Sequence, residues 1–291
     1  MPSIDTGKVS LYYEETGDGS NPIVLVHGIP TDFRAWNATR PAISNHPSFK
    51  LIPFSRRLAY PNKNPRTNES TVQNNTDDLA DLIRSLNLAQ RVHLVGHSFG
   101  GYVSLYCASK HPEIFRSLTL VEPAVPSILV ENEKSPLQIL LLLLTKPSAA
   151  LSARRFQRGK LKLCLEAYEN GDLQKAVKYF YDGIREKDGA FEELPEDIRD
   201  MMNENGPSIG ELNLEFPVFT KKDAHEIKLP VLLIKGEKSP EWLRAIVDSL
   251  GKSIPNARVV EIPGSGHLPH IERSESFNDA LFGFVEKDLS R

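Results

Sequence analysis

The stretch Val95-Gly96-His97-Ser98-Phe99-Gly100-Gly101, VGHSFGG, decides the fold. It closes the apolar run RVHLVGHS and opens a helical pattern carried by Val103, Tyr106 and Cys107. Gly96 and Gly100 each stand two positions from Ser98, and chemistry explains the spacing. A nucleophile at a strand end must turn sharply into a helix, with strained backbone at the serine itself. Side chains two positions away would collide with the neighbouring strand and helix, so glycine is needed there. The turn lifts the serine Oγ to the sheet edge and leaves the Phe99 N–H at a helix N-terminus, aimed at negative charge. The alternative is a glycine-rich turn carrying an incidental serine.

On both sides of this turn, short apolar runs alternate with helical patterns. VSLYYEET has the pattern of an edge hairpin strand. PIVLVHG, FKLIPFS, RSLTLVEP, PVLLIKGE and ARVVEIPG read as further strands. Leu79, Leu82, Ile83 and Leu86 form one helical stripe; Phe277, Ala280, Leu281, Phe284 and Val285 form another. Such alternation predicts a mostly parallel sheet covered by helices on both faces. It stops between about Val125 and Lys228, where the chain is rich in Leu, Lys and Glu and punctuated by proline. The expectation is an α/β core from residues 1–124 and 229–291, with residues 125–228 as a helical insertion capping the sheet.

Composition bounds the function. The 291 residues are 40% apolar and 25% charged, with a formal net charge of −3. That balance suggests neither a nucleic-acid partner nor an anionic membrane surface. Cys107 and Cys164 form no zinc spacing and no disulfide framework, and read as buried thiols. The N-terminus lacks a basic region followed by an apolar core, so no signal peptide is read and a cytoplasmic location is expected. The run LQILLLLL, Leu137 to Leu144, falls far short of the ~20 apolar residues of a membrane span.

The Gly96–Gly100 pattern, the loop LVHGIPTDFRAW and the closing segment IPGSGHLPHIERSESFNDALFGFV together resemble the α/β-hydrolase superfamily over nearly the whole chain. The resemblance implies that Ser98 is the nucleophile and that the Ile29 and Phe99 N–H groups form the oxyanion hole. It maps the catalytic histidine onto His267, with His270 as the alternative, and leaves His27 structural. No metal or organic cofactor is implied, because serine, histidine and oxyanion donors suffice for acyl transfer.

The third member of a triad is missing from its usual place. After PVLLIKG comes Glu237-Lys238-Ser239-Pro240, so the family's usual acid position is Ser239. One explanation moves the acid to Glu122, at the end of RSLTLVEP, as haloalkane-dehalogenase-like members of the superfamily do. Neighbouring parallel strand ends face one crevice, which permits the exchange. A second takes Glu237 or Glu241 from the local loop, and a third leaves the triad without an acid.

Arg57 and Tyr60, in SRRLAYPNKNP, Ser55 to Pro65, are candidates to bind a substrate carboxylate or carbonyl; for arginine the leading reading is a structural salt bridge to surface carboxylates. Leu140 stands in the leucine run, whose leading destination is core packing, with a pocket wall or a dimer contact as alternatives. The expected activity is hydrolysis of an ester or lactone of a small, mainly apolar molecule by a monomer or homodimer. A small-molecule receptor on the same scaffold, or a Ser-His carbon–carbon bond hydrolase or lyase, would carry the same motifs. Ser98 in place of aspartate argues against haloalkane dehalogenation.

Overall fold

The computed structural model describes residues 2–64, 70–132 and 134–289. Six strands build one sheet: β3 (Asn21–Val26), β4 (Phe49–Phe54), β5 (Val92–His97), β6 (Phe115–Val121), β7 (Val231–Gly236) and β8 (Ala257–Ile262). Their order is β4-β3-β5-β6-β7-β8, and every neighbouring pair is parallel. The expected N-terminal hairpin is β1 (Ser3–Asp5) with β2 (Ser10–Tyr12), antiparallel; single bridges at Tyr13–Phe54 and Thr16–Leu51 tie the following segment to the β4 edge.

Helices α1 (Val72–Ser85) and α2 (Ser98–Lys110) follow β4 and β5. The Thr71 hydroxyl accepts from the Asn74 N–H and starts α1, which buries Leu79, Leu82 and Ile83. Between β6 and β7 lie α3 (Pro136–Thr145), α4 (Pro147–Phe156), α5 (Lys162–Glu169), α6 (Leu173–Ile184), α7 (Glu196–Glu204) and α8 (Lys221–Glu226). After β7 come α9 (Glu241–Ser253), the short α10 (Pro269–Glu272) and α11 (Ser274–Leu289).

Two apolar clusters cover the two faces of the sheet. One joins Leu94, Leu118 and Leu233 to residues of α1, α2 and α9, and runs on without a break into Cys164, Val177 and Phe180. The other packs Ile23, Val95 and Ile234 against Trp36 and against Phe277, Leu281 and Phe282 of α11. The helices between β6 and β7 therefore share the core of the sheet. Both cysteines are buried and free.

The chain runs from β3 outward to β4, then returns across β3 to β5. The strand order reverses there, and open parallel sheets form a crevice at the carboxyl ends of the strands flanking such a reversal. Ser98 follows β5 and the His27–Pro30 loop follows β3, so both open into that crevice. The start of α2 presses on the same loop: a Cβ on Gly100 would collide with the carbonyl oxygens of Val26 and His27, and one on Gly96 with Ser104 and the Gly100 carbonyl. Gly100→Ala is expected to destabilise the fold by about 2 kcal/mol or more, since backbone must move. Gly283→Ala, where an added Cβ meets nothing within 4 Å, should be neutral or stabilise by up to about 1 kcal/mol. Urea midpoints of the two variants check the contrast.

Candidate active site

Four described non-glycine residues have positive φ: Asn87, Ser98, Glu122 and Glu186. Asn87 and Glu186 lie just past the ends of α1 and α6, where left-handed backbone caps a helix. Ser98, at +52°, and Glu122, at +47°, have no such reason. Both follow strands directly, β5 and β6, and both are buried. Strain of this kind persists where the surrounding structure over-determines it.

Glu122 has no exposed surface. One carboxylate oxygen accepts the Gly236 N–H at 2.7 Å, and the other lies 3.1 Å from His267 Nδ1. The Ser239 hydroxyl, buried and short of hydrogen-bond geometry to any described partner, is near enough to favour the charged carboxylate. Burial outweighs both and pushes the Glu122 carboxyl up, to about 8. Burial also drives His267 down, to about 3, so its imidazole is neutral. Its Nε2 is buried and meets no described hydrogen-bond partner, an atom left free to take a proton.

The alternative acids lie elsewhere. Glu237 accepts the Gly264 N–H at 2.7 Å and is exposed, while Glu241 faces Arg244 at 3.7 Å. His270 is boxed by the rings of Trp36, His97 and Phe277, and neither ring nitrogen meets a described partner. The His97 ring bonds the His267 carbonyl at 2.8 Å and so braces the histidine loop from β5.

The loop after β3 lies against the serine: a Cβ on Gly28 would stand 3.0 Å from Ser98 Cβ and 2.8 Å from His97 Nδ1. Among the described residues the Ile29 N–H finds no acceptor. The Phe99 N–H, in the first turn of α2, belongs to the groups a helix leaves unpaired at its start. Two unpaired donors therefore flank a buried serine.

The α/β-hydrolase fold family model matches residues 21–274. The chain belongs to that family. Among curated relatives, Lipase 1 of Psychrobacter immobilis is 24% identical over 292 residues, covering 97% of this chain and 82% of its own. Among solved structures, the bromoperoxidase of Bacillus anthracis superposes with a TM-score of 0.70 at 22% identity, over 98% of this chain and 99% of its own. The enol-lactonase of Burkholderia xenovorans LB400 does so at 0.64 and 21%, over 98% and 100%. At such identities the solved structures speak for the fold alone.

In this hydrolase the three weaker site candidates have the following surroundings, and the leading reading of Leu140 as core needs correction. Arg57 takes the structural reading: its guanidinium grips both oxygens of Asp78, at 2.8 and 2.9 Å, in a buried pair. Tyr60 is 42% exposed and its ring lies under the Arg34 guanidinium, 4.6 Å away, with no described contact to Ser98, His267 or Glu122. Leu140 is 51% exposed on α3, a helix with no buried residue, so the leucine run is not core. Pro65, at the end of the segment that carries Arg57 and Tyr60, lies outside the described residues.

Sequence reasoning missed two supporting pairs. Arg56, 2% exposed, donates to the His27 carbonyl at 3.1 Å and grips Glu211 with two bonds of 2.9 Å. It thereby fixes the loop beside Ser98 from the segment between β6 and β7. Arg185, just after α6, pairs with Glu272 at 2.5 Å, and Glu272 accepts the Gly266 N–H at 2.7 Å, one residue before His267. The partners lie 155 and 87 positions apart, beyond any local signal. A cleft of about 790 Å³ lined by Arg91, Pro112, Arg116 and Pro230 sits at the amino ends of the strands, away from this chemistry. No described helix is long and apolar enough to cross a membrane.

Five of the eight histidines, His27, His93, His97, His267 and His270, are buried with pKa values held below 6.5, burial being the first cause in each. The unfolded chain binds these protons below about pH 6.5 and the fold does not, so stability must fall as pH drops through that value. Glu122, raised to about 8, holds a proton in the fold that the unfolded chain releases above 4.5, and offsets one of the five. The urea midpoint is expected to decline steeply from pH 7 to 5. A midpoint that holds or rises over that range would show these imidazoles to be charged in the fold.

Proposed function

We propose that this hydrolase cleaves an ester or lactone of a small, mainly apolar molecule through an acyl-enzyme. Ser98 is the nucleophile, His267 the general base, Glu122 the acid, and the Ile29 and Phe99 N–H groups the oxyanion hole. The observation that carries this reading is the buried His267 Nδ1–Glu122 contact of 3.1 Å, which leaves Nε2 unpartnered in the crevice that Ser98 enters.

Ser98 Oγ attacks the substrate carbonyl carbon as its proton passes to His267 Nε2. In its ionised form Glu122, held by the Gly236 N–H, stabilises the imidazolium and fixes the tautomer, so turnover rises as this raised carboxyl loses its proton. The Ile29 and Phe99 N–H groups take the negative charge on the former carbonyl oxygen. His267 then returns its proton to the leaving oxygen, and water repeats the sequence on the acyl-serine. Burial helps twice: it keeps His267 neutral and able to accept a proton, and it strengthens the donors around the oxyanion.

Residues 125–228 serve as the cap that sets substrate choice. Support comes from Phe216, whose ring meets Phe99 edge-on at 5.6 Å, and from the two ion pairs that tie this segment to the loops of Ile29 and His267. The name of the curated relative, a lipase, accords with ester cleavage.

A panel of p-nitrophenyl esters of rising chain length, with lactones, tests the proposal. Ser98→Ala should abolish turnover and labelling by a fluorophosphonate. His267→Ala should cost about a thousandfold or more in kcat. Glu122→Gln should keep the fold and cost on the order of a hundred- to ten-thousandfold, since an amide bonds the ring but cannot balance its charge. Labelling that survives Ser98→Ala sinks the nucleophile assignment, and wild-type rates in Glu122→Gln sink the acid.

A further inference from the structure

Every residue from Ile139 to Leu144 is aliphatic, yet α3 buries none of its side chains. Leu137, Leu140, Leu141 and Leu144 are between 50% and 71% exposed. Leu151 of α4, the helix against which α3 packs, adds another exposed leucine at 54%. One neighbour cannot cover a helix that is apolar on all sides. Proteins seldom leave so much contiguous apolar surface bare unless something seats on it.

The charge around this surface indicates what seats there. From Pro136 to Leu165 the chain carries Lys146, Arg154, Arg155, Arg158, Lys160 and Lys162 and not one Asp or Glu, in a protein of net charge −3. Three of these cations face acidic side chains from outside that stretch: Arg155 meets Glu186, Lys160 meets Asp188 and Lys162 meets Glu166. Among the described ion pairs none engages Lys146, Arg154 or Arg158, and both arginines are exposed. Net charge therefore misleads here, because the cations gather on the segment that exposes the leucines.

We propose that α3 and the cationic segment behind it seat the protein on an anionic phospholipid surface. Ten residues of helix span about 15 Å, half of a bilayer core. Such a helix cannot cross, but it can lie in the interface with its leucines among the acyl chains while flanking Lys and Arg meet the headgroup phosphates. A second copy of this chain is the competing occupant; the stretch itself offers Arg154 and Arg158 no acid, whereas headgroup phosphates offer them anions.

Vesicle flotation of the full chain tests this without reference to hydrolysis. The protein should float with phosphatidylcholine vesicles containing about one-third phosphatidylglycerol at about 0.15 M salt, and about tenfold less with phosphatidylcholine alone. Leu140→Glu with Leu144→Glu, and separately Arg154→Glu with Arg158→Glu, should each lower partitioning about tenfold or more. All four side chains are exposed, so an unchanged thermal midpoint verifies the fold of each variant. Absence of flotation, equal flotation with both vesicles, or indifference to both variants overturns the proposal. So does a dimer in sedimentation equilibrium that the leucine variant breaks while vesicles bind nothing, which would assign the face to a second copy.

Discussion

A carboxylate with no exposed surface constrains everything around it. An unpaired buried charge costs several kcal/mol, so Glu122 needs partners that come from separate parts of the chain. The β6–β7 register supplies the first: Val121 pairs with Ile234, the Glu122 N–H reaches the Ile234 carbonyl at 2.9 Å, and the Gly236 N–H falls on the carboxylate. The histidine loop supplies the second. It crosses so close over Gly236 that any Cβ there would strike the Ser265 and Gly266 carbonyls. Glycine at 236 thus does two things: it lets the loop descend until His267 meets Glu122, and it donates to that same carboxylate.

The rest of the site follows from sheet topology. The strand order reverses between β3 and β5, and β6 and β7 continue the same parallel series. The four strand ends that point one way deliver the Gly28–Ile29 backbone, Ser98, Glu122 and the Gly236 N–H. No single stretch of sequence contains this constellation; the common strand direction assembles it. The same direction lets a carboxyl at the end of β6 meet a histidine that descends over the end of β7. Ser239, which follows β7, lies near enough to the Glu122 carboxyl to favour its charged form.

Legibility in the sequence tracked the range of the physics involved. The elbow could be read because its reason is local: a strained serine needs small residues two positions away, and Gly96 and Gly100 meet backbone and side-chain atoms of the adjacent turn and strand. Glu122 could be read because the usual acid position holds a serine and neighbouring parallel strand ends face one crevice. The Arg56–Glu211 and Arg185–Glu272 pairs could not be read, since each joins residues far apart through a cross-element contact that no spacing encodes. The leucine run misled for the opposite reason. Its pattern states only that the segment is apolar, and whether a neighbour covers it depends on packing, which leaves α3 against α4 with most of its leucine surface open.

Those two long-range pairs bear on how anything reaches Ser98, which is only 5% exposed, beside His267 at 3%. A water-poor site strengthens each donor and charge inside it, but it must open. Lifting the whole segment between β6 and β7 would separate Arg56 from Glu211, both almost fully buried, at a cost of about 3–5 kcal/mol. It would also free the loops that carry Ile29 and His267 from their braces, undoing the geometry the chemistry needs. A smaller movement avoids both costs. Phe216 is only partly buried, and its ring packs on Phe99 and Tyr102 without any charge to separate. That ring contact can part while both ion pairs stay closed.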